Sequence, residues 1–321
     1  MATPHDKVFF GDRIIDAQDA TLGVATFFGD RIIDAQDATL GVATSAVLYG
    51  LSVYTVFPVQ TTDGARTAFR LRDHHQRLLE SCKIIGIDTF GPAWPFERFV
   101  EVVREVVAAN DPQHEVYVRA TVHVDESIPG TRVRGLSTTV SIFLYDAVPI
   151  VPQDGMRLKT SVWRRIPDNA IPSRAKVNGA YVNSVLAKQD AIDSGFDDCI
   201  FLDINGHVCE LSAANIFLVR GGTLITPDVT SDILDGINRR TILTLAREEG
   251  LEVQERTVDL TELYIADEVF VCGTSAGVAP VHEIDGRAVA ERATGPVTLM
   301  LRKRHLAALT GDEVHGWVTT L

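Results

Sequence analysis

The sequence predicts a mixed α/β (α+β) protein of two domains, and three observations lead there. Its 321 residues are enough for two hydrophobic cores. Strand-like and helix-like runs alternate on both sides of Asp146–Asp154, a segment holding Pro149 and Pro152 that reads as a connection. Hydrophobic residues make up 45% and charged residues 23%, as in ordinary globular chains. The expected organisation is a small N-terminal α/β domain over 1–145, a linker over 146–154 and a larger C-terminal domain over 155–321.

The chain opens with a repeat. FFGDRIIDAQDATLGVAT, Phe9–Thr26, recurs unchanged as Phe27–Thr44. Solenoid repeats diverge and need three or more units to bury a continuous core, so two identical copies are no architecture. Ser45 onward continues the second copy only, which should therefore hold the native place, with 9–26 an extra copy of 27–44. Next, Val53-Tyr54-Thr55-Val56-Phe57 reads as a strand. A helix is expected after it, with Asp73 as N-cap, Gln76 completing a capping box, and Leu78, Leu79, Cys82 and Ile85 on one face. Pro95 opens a second helix carrying Phe96, Phe99, Val100, Val103, Val106 and Val107. Strands at Val116–Val124 and Thr138–Tyr145 complete this half.

Beyond the linker, a helix is expected through Tyr181, Val185, Ala191 and Ile192. Asn205-Gly206 pairs Cys199–Asp203 with His207–Leu211 as a hairpin, and Gly221-Gly222 pairs Asn215–Val219 with Thr223–Thr226. A helix over about Asn238–Glu249 buries Ile242, Leu245 and Ala246. A strand at Glu268–Cys272 leads into the turn Gly273–Gly277.

Composition excludes several functions. A net charge of −13 with no basic stripe argues against nucleic acid. Cys82, Cys199, Cys209 and Cys272 stand far apart, without Cys-x-x-Cys or metal-ligand spacing, so reduced thiols and no metal are expected. No secretory signal and no apolar stretch of membrane-spanning length is visible, so a soluble cytoplasmic protein without membrane partners is expected.

Among six lysines, Lys176 is unusual, set among small residues in Ile171–Tyr181 ahead of a helix. Most lysines are solvated surface groups. A nucleophilic one needs desolvation or a neighbouring cation, and Arg164, Arg165 and Arg174 are near in sequence. Arg77 lies on a helix where its fork reaches for a phosphate. Gly236-Ile237-Asn238 precedes a helix, and Gly273-Thr274 forms a Gly turn; both suit an anion.

Five ordered segments together resemble class IV, fold-type IV pyridoxal-phosphate enzymes. They are YGLSVYTVF (Tyr49–Phe57), FRLRDHHQRLLES (Phe69–Ser81), IPSRAKVNGAYVNSVLAKQDAIDSGFDDCIFLDINGHVCELSAANIFLV (Ile171–Val219), LDGINRRTI (Leu234–Ile242) and ADEVFVCGTSAGVAPV (Ala266–Val281). With the tail GDEVHGWV (Gly311–Val318), the chain is most similar to the branched-chain aminotransferase branch. The resemblance implies a fold-type IV architecture with the cofactor between the domains, a cofactor-binding C-terminal domain, a homodimer, and an amino donor and 2-oxo acid acceptor as substrates. It places the Schiff-base lysine on Lys176, the ring-hydroxylate contact on Tyr181 and the acid facing the pyridine nitrogen on Glu210. Arg77, Ile237, Asn238 and Thr274 match the phosphate cup, where Asn238 replaces the family's usual Thr or Ser. Substrate contacts fall on Tyr49, Arg119, Ser275 and Ala276.

Specificity stays open at this level. Branched-chain enzymes usually read Val-Phe-Glu-Gly-Ile-Arg where this chain has Val53-Tyr54-Thr55-Val56-Phe57-Pro58. Arg119, in the Tyr-x-Arg strand, receives a distal carboxylate or is a structural ion-pair residue. Arg132 and Arg134 add a carboxylate site or are exposed. The alternatives are a D-amino-acid or (R)-amine aminotransferase, a lyase like the aminodeoxychorismate lyases, and a non-catalytic cofactor-binding protein.

Overall fold

The computed structural model describes residues 7–10, 13–16, 25–62, 64–290, 294–311 and 315–321. Packing divides the chain into two units. The N-terminal unit comprises Gln18–Ala147, Ala175–Ala180 and Leu309–Leu321; the C-terminal unit comprises Met1–Ala17, Val148–Arg174 and Tyr181–Ala308. The sequence reading assigned 175–180 and 309–321 to the second half. Backbone pairing puts them in the first: Val177 bridges to Val53, and Val318–Thr320 pairs with Ala65–Phe69.

The N-terminal unit is built on a seven-stranded antiparallel sheet in the order Val318–Thr320, Ala65–Phe69, Ser52–Thr62, Val116–Val124, Thr138–Asp146, Ala25–Phe28, Arg31–Asp34. The β-branched and aromatic run expected to be a strand is the sheet's long central one, with Val53 opposite Val122 and Phe57 opposite Val118. Alternation sends these residues into a core with Leu78, Phe99 and Val103 from the helices Leu71–Ile85 and Phe96–Asn110. Each such fully buried side chain contributes roughly 1.5–3 kcal/mol.

The first of these helices starts earlier than expected and has no capping box. Its N-cap is Arg70, held in the left-handed region at φ 50°. Burial of Leu71 draws the start upstream; Asp73 instead accepts from Arg70 Nε at 2.8 Å, and Gln76 donates to Glu80.

Both copies of the repeat fold into the same hairpin register, Phe9 opposite Ile14 and Phe27 opposite Ile32. Only the second joins the large sheet, with Phe27 opposite Ile142 and Phe28 opposite Ser141. Among the described residues the first copy's strands pair only with each other; residues 11–12 and 17–24 lie outside the described residues, as do 312–314 of the tail.

The C-terminal unit carries a mixed nine-stranded sheet in the order Val208–Leu211, Asp198–Leu202, Met156–Arg164, Gly277–Ile284, Glu268–Gly273, Asn215–Arg220, Thr223–Thr226, Glu252–Glu255, with Arg287–Ala288 beside Gly277–Ile284. The hairpins at Asn205-Gly206 and Gly221-Gly222 form as the turn chemistry predicts. The helix expected through Tyr181 forms as Tyr181–Asp193 and buries Ser184, Ala187 and Ala191, while Val185 and Ile192 are exposed. Small residues let it lie close on the strands Met156–Arg164 and Asp198–Leu202.

Candidate active site

Lys176 is set by backbone zippering. Residues 176–179 run beside the start of the central strand: Tyr54 N donates to Lys176 O at 3.0 Å, Asn178 N to Ser52 O at 2.9 Å and Gly179 N to Gly50 O at 3.1 Å. At the end of this zipper the chains touch. A Cβ on Gly50, which sits at φ 64°, would lie 2.8 Å from the Gly179 Cα, so Gly50 has no room for a side chain, and one on Gly179 would press on Gly50 O at 3.2 Å. Lys176 is half-buried, and its Nζ lies over the Tyr54 ring, 4.9 Å from the centroid. The other lysines with described side chains are ordinary. Lys159 and Lys188 pair with Asp190 and Asp198, while Lys83 and Lys303 are exposed.

The helix bearing Arg77 is tied to the same strand and the same lysine. Lys176 N donates to Ser81 Oγ at 3.1 Å, and Ser81 Oγ donates to Arg77 O at 2.8 Å. Arg77 is 8% exposed, with Nη2 donating to Thr55 Oγ1 at 3.3 Å. On the opposite face of the sheet, the Arg119 guanidinium stacks on Tyr54 at 3.7 Å and donates from Nη2 to Asn178 Oδ1 at 2.7 Å. Among the described residues its polar partners are Asn178 and Thr121, both neutral. Further along this face His123 meets Ser141 at 2.8 Å beside a groove of about 260 Å³ lined by Thr26, Phe28, Leu40 and Phe143. Burial, aided by Arg119, lowers the His123 pKa to about 4. Tyr49 is half-exposed at the end of the short helix Ser45–Tyr49, next to the Gly50–Gly179 contact. Arg132 and Arg134 are exposed.

In the C-terminal unit, Glu210 is the centre of a second cluster. The buried carboxylate accepts Arg165 Nη2 on Oε1 at 2.8 Å, and Asn215 Nδ2 and Leu234 N on Oε2 at 3.1 and 3.2 Å. A charge this buried requires such partners. Arg165 stood in sequence as a cation for Lys176; its ion pair is with Glu210, while Arg174 pairs with Asp168. Asn215 also fixes the phosphate-cup helix. A Cβ on Gly236, the cap of Ile237–Glu248, would lie 2.2 Å from Asn215 Oδ1, so a side chain there would displace Asn215. Ile237 and Asn238 are buried in the first turn of this helix. Thr274, Ser275 and Ala276 form the hairpin turn between Glu268–Gly273 and Gly277–Ile284; Ile150 N donates to Ser275 O and Gln153 to Ala276 O. Tyr181 is the first residue of its helix.

The structure thus gathers Lys176, Arg77 and Arg119 around one strand, and Glu210, Ile237 and Asn238 around Asn215. Sequence reading missed Tyr54, Thr55, His74, Ser81, Asn178 and Asn215 as parts of these clusters. None has a spacing signal, because each acts through a partner brought up by sheet pairing.

Residues 52–284 match the model of the amino-transferase class IV family. A probable branched-chain-amino-acid aminotransferase of Aquifex aeolicus (strain VF5) is 35% identical over 320 residues, covering 98% of this chain and 96% of the relative. A structure of the branched-chain aminotransferase of Thermoproteus uzoniensis with norvaline superposes with a TM-score of 0.88 at 33% identity, covering 93% of this chain and 99% of that one. The T.th. branched-chain amino acid aminotransferase complexed with N-(5'-phosphopyridoxyl)-L-glutamate gives 0.84 at 33% identity, covering 92% and 98%. This chain belongs to the class IV aminotransferases, enzymes that transfer amino groups with pyridoxal phosphate.

Proposed function

We propose that the protein holds pyridoxal phosphate through Lys176 and exchanges amino groups between a branched-chain or related amino acid and a 2-oxo acid, with glutamate and 2-oxoglutarate as a charged pair. The residues suit that cofactor. A half-buried amine over an aromatic ring, a buried guanidinium and a glycine-capped helix start are the donors an aldehyde phosphate needs, and a buried carboxylate suits its pyridine nitrogen.

When bound, the cofactor supplies an aldehyde carbon for the amine and a protonated ring that takes up the electron pair left by the substrate's α-proton. Lys176 Nζ is the base that removes this proton and returns it to the carbon on the far side of the transfer, worth ~10²–10⁴-fold. Glu210 holds a proton at the ring nitrogen. Its neighbours Arg165, Asn215 and Leu234 N fix the carboxylate in place for this task. Arg77, the Ile237–Asn238 backbone and Thr274 bind the phosphate, and Tyr181 contacts the ring hydroxylate. Tyr49, Ser275 and Ala276 border the substrate.

The observation that carries the substrate assignment is Arg119, a cation whose polar partners are neutral, which suits a distal carboxylate. The relatives named above are branched-chain enzymes, one with norvaline and one with a glutamate derivative. These support that profile over D-amino-acid, (R)-amine or lyase chemistry. The test is a half-reaction screen of L-leucine, L-glutamate, D-alanine and an (R)-amine, following the cofactor's visible band. Bleaching by the L-amino acids alone supports the assignment; pyruvate release without an acceptor would make the enzyme a lyase.

A second copy of the chain is the partner we propose. Val182, Val185 and Leu186, at helical spacing on Tyr181–Asp193, leave an apolar stripe exposed on the C-terminal unit. An active monomer by sedimentation would refute it. No described helix is long and apolar enough to cross a membrane, and all four cysteines are free and buried, which supports a cytoplasmic location.

A further inference from the structure

We infer, resting on the reading of Arg77 as a phosphate ligand, that Thr55 and His74 are positioning residues that aim its guanidinium. Thr55 is fully buried on the sheet face toward the helix Leu71–Ile85, opposite the face of Tyr54 and Arg119. Its hydroxyl lies 2.7 Å from His74 Nδ1 and 3.3 Å from Arg77 Nη2. A guanidinium only donates, so the hydroxyl accepts from Arg77; toward His74 Nδ1 it donates or accepts according to the ring's tautomer.

His74 and Arg77 stand three apart on one helix face, and both are buried. The imidazole therefore fixes the hydroxyl's rotation, and the hydroxyl fixes one arm of the fork. Neither group brings a negative charge, so this support aims the arginine without offsetting its attraction for an anion. A glutamate at position 55, as in the motif this strand departs from, would offset that charge.

A positioning role for a phosphate differs from a merely structural one in its ligand dependence. Pyridoxal lacks the phosphate but keeps the aldehyde and ring. Dissociation constants of the cofactor-depleted full-length chain for pyridoxal phosphate and for pyridoxal, read by absorbance, therefore separate the two. Thr55→Val should weaken pyridoxal phosphate about three- to tenfold, the scale of one hydrogen bond. Binding of pyridoxal should change less than about twofold, and Thr55→Ser should restore both. If Thr55→Val folds poorly, His74→Phe should raise the same ratio. Arg77→Ala is the control. If it lowers affinity for pyridoxal phosphate selectively and the Thr55 and His74 variants do not, the positioning role is wrong and the phosphate reading stands. If Arg77→Ala also leaves the ratio unchanged, both fall.

Discussion

Replacing Arg119 by Leu should cost activity with glutamate far more than with leucine. In the structure the guanidinium commits Nη2 to Asn178 at 2.7 Å and sets Nε a long 3.4 Å from Thr121, leaving Nη1 to donate to a substrate carboxylate. A charge-assisted hydrogen bond is worth ~1.5–3 kcal/mol, which corresponds to roughly ten- to a hundredfold in kcat/KM. The substitution also removes the stacking on Tyr54, about 0.5–2 kcal/mol, and deprives Asn178 Oδ1 of its donor. Those losses fall on every substrate alike, because they disturb the strand beside Lys176. The ratio of kcat/KM for glutamate to that for leucine, with the acceptor held constant, therefore isolates the charge. An equal fall for both substrates would refute the carboxylate role and return Arg119 to a structural one.

Glu210→Gln should keep the fold and cofactor but lower kcat ~10²-fold or more, the scale for losing one electrostatic partner of a transition state; stopped-flow half-reactions read this. Near-normal turnover would mean that Glu210 does not serve the ring nitrogen. Deleting Phe9–Thr26 should leave the melting temperature and activity within error, since the second copy is the one paired with Thr138–Asp146; failure to fold would give the first copy a structural role. Stability should fall as pH is lowered from about 6.5 to 4. Burial depresses His305 and His123 to about 4, so in that window the unfolded chain binds protons that the folded one does not. Urea titrations across it should show this slope, and His305→Leu should flatten it; an unchanged slope in that variant would contradict the assignment.

The elements with strong local signals were legible in sequence. The hairpins at Asn205-Gly206 and Gly221-Gly222 follow from turn residues with positive φ, at Gly206, Gly221 and Gly222. Periodicity located both N-terminal helices and the faces they bury, yet it misplaced the start of the first. Asp73 has the residue type of a cap, but the helix begins at the buried Leu71, two residues before it. Domain membership was less legible still. Nothing local in Ala175–Ala180 says that it zips onto Ser52–Tyr54, far earlier in the chain, and that pairing is what aims Lys176. For the same reason Arg165 looked like a partner for the nearby lysine, when its fork closes on Glu210.

The central claim is that Lys176 carries the cofactor. Borohydride reduction of the holoenzyme, proteolysis and mass spectrometry test it most directly. The phosphopyridoxyl mass should appear on the peptide containing Lys176, and Lys176→Ala should lose both the label and the visible cofactor band. A label on Lys159, Lys188 or another lysine, or an unchanged spectrum in Lys176→Ala, would contradict it.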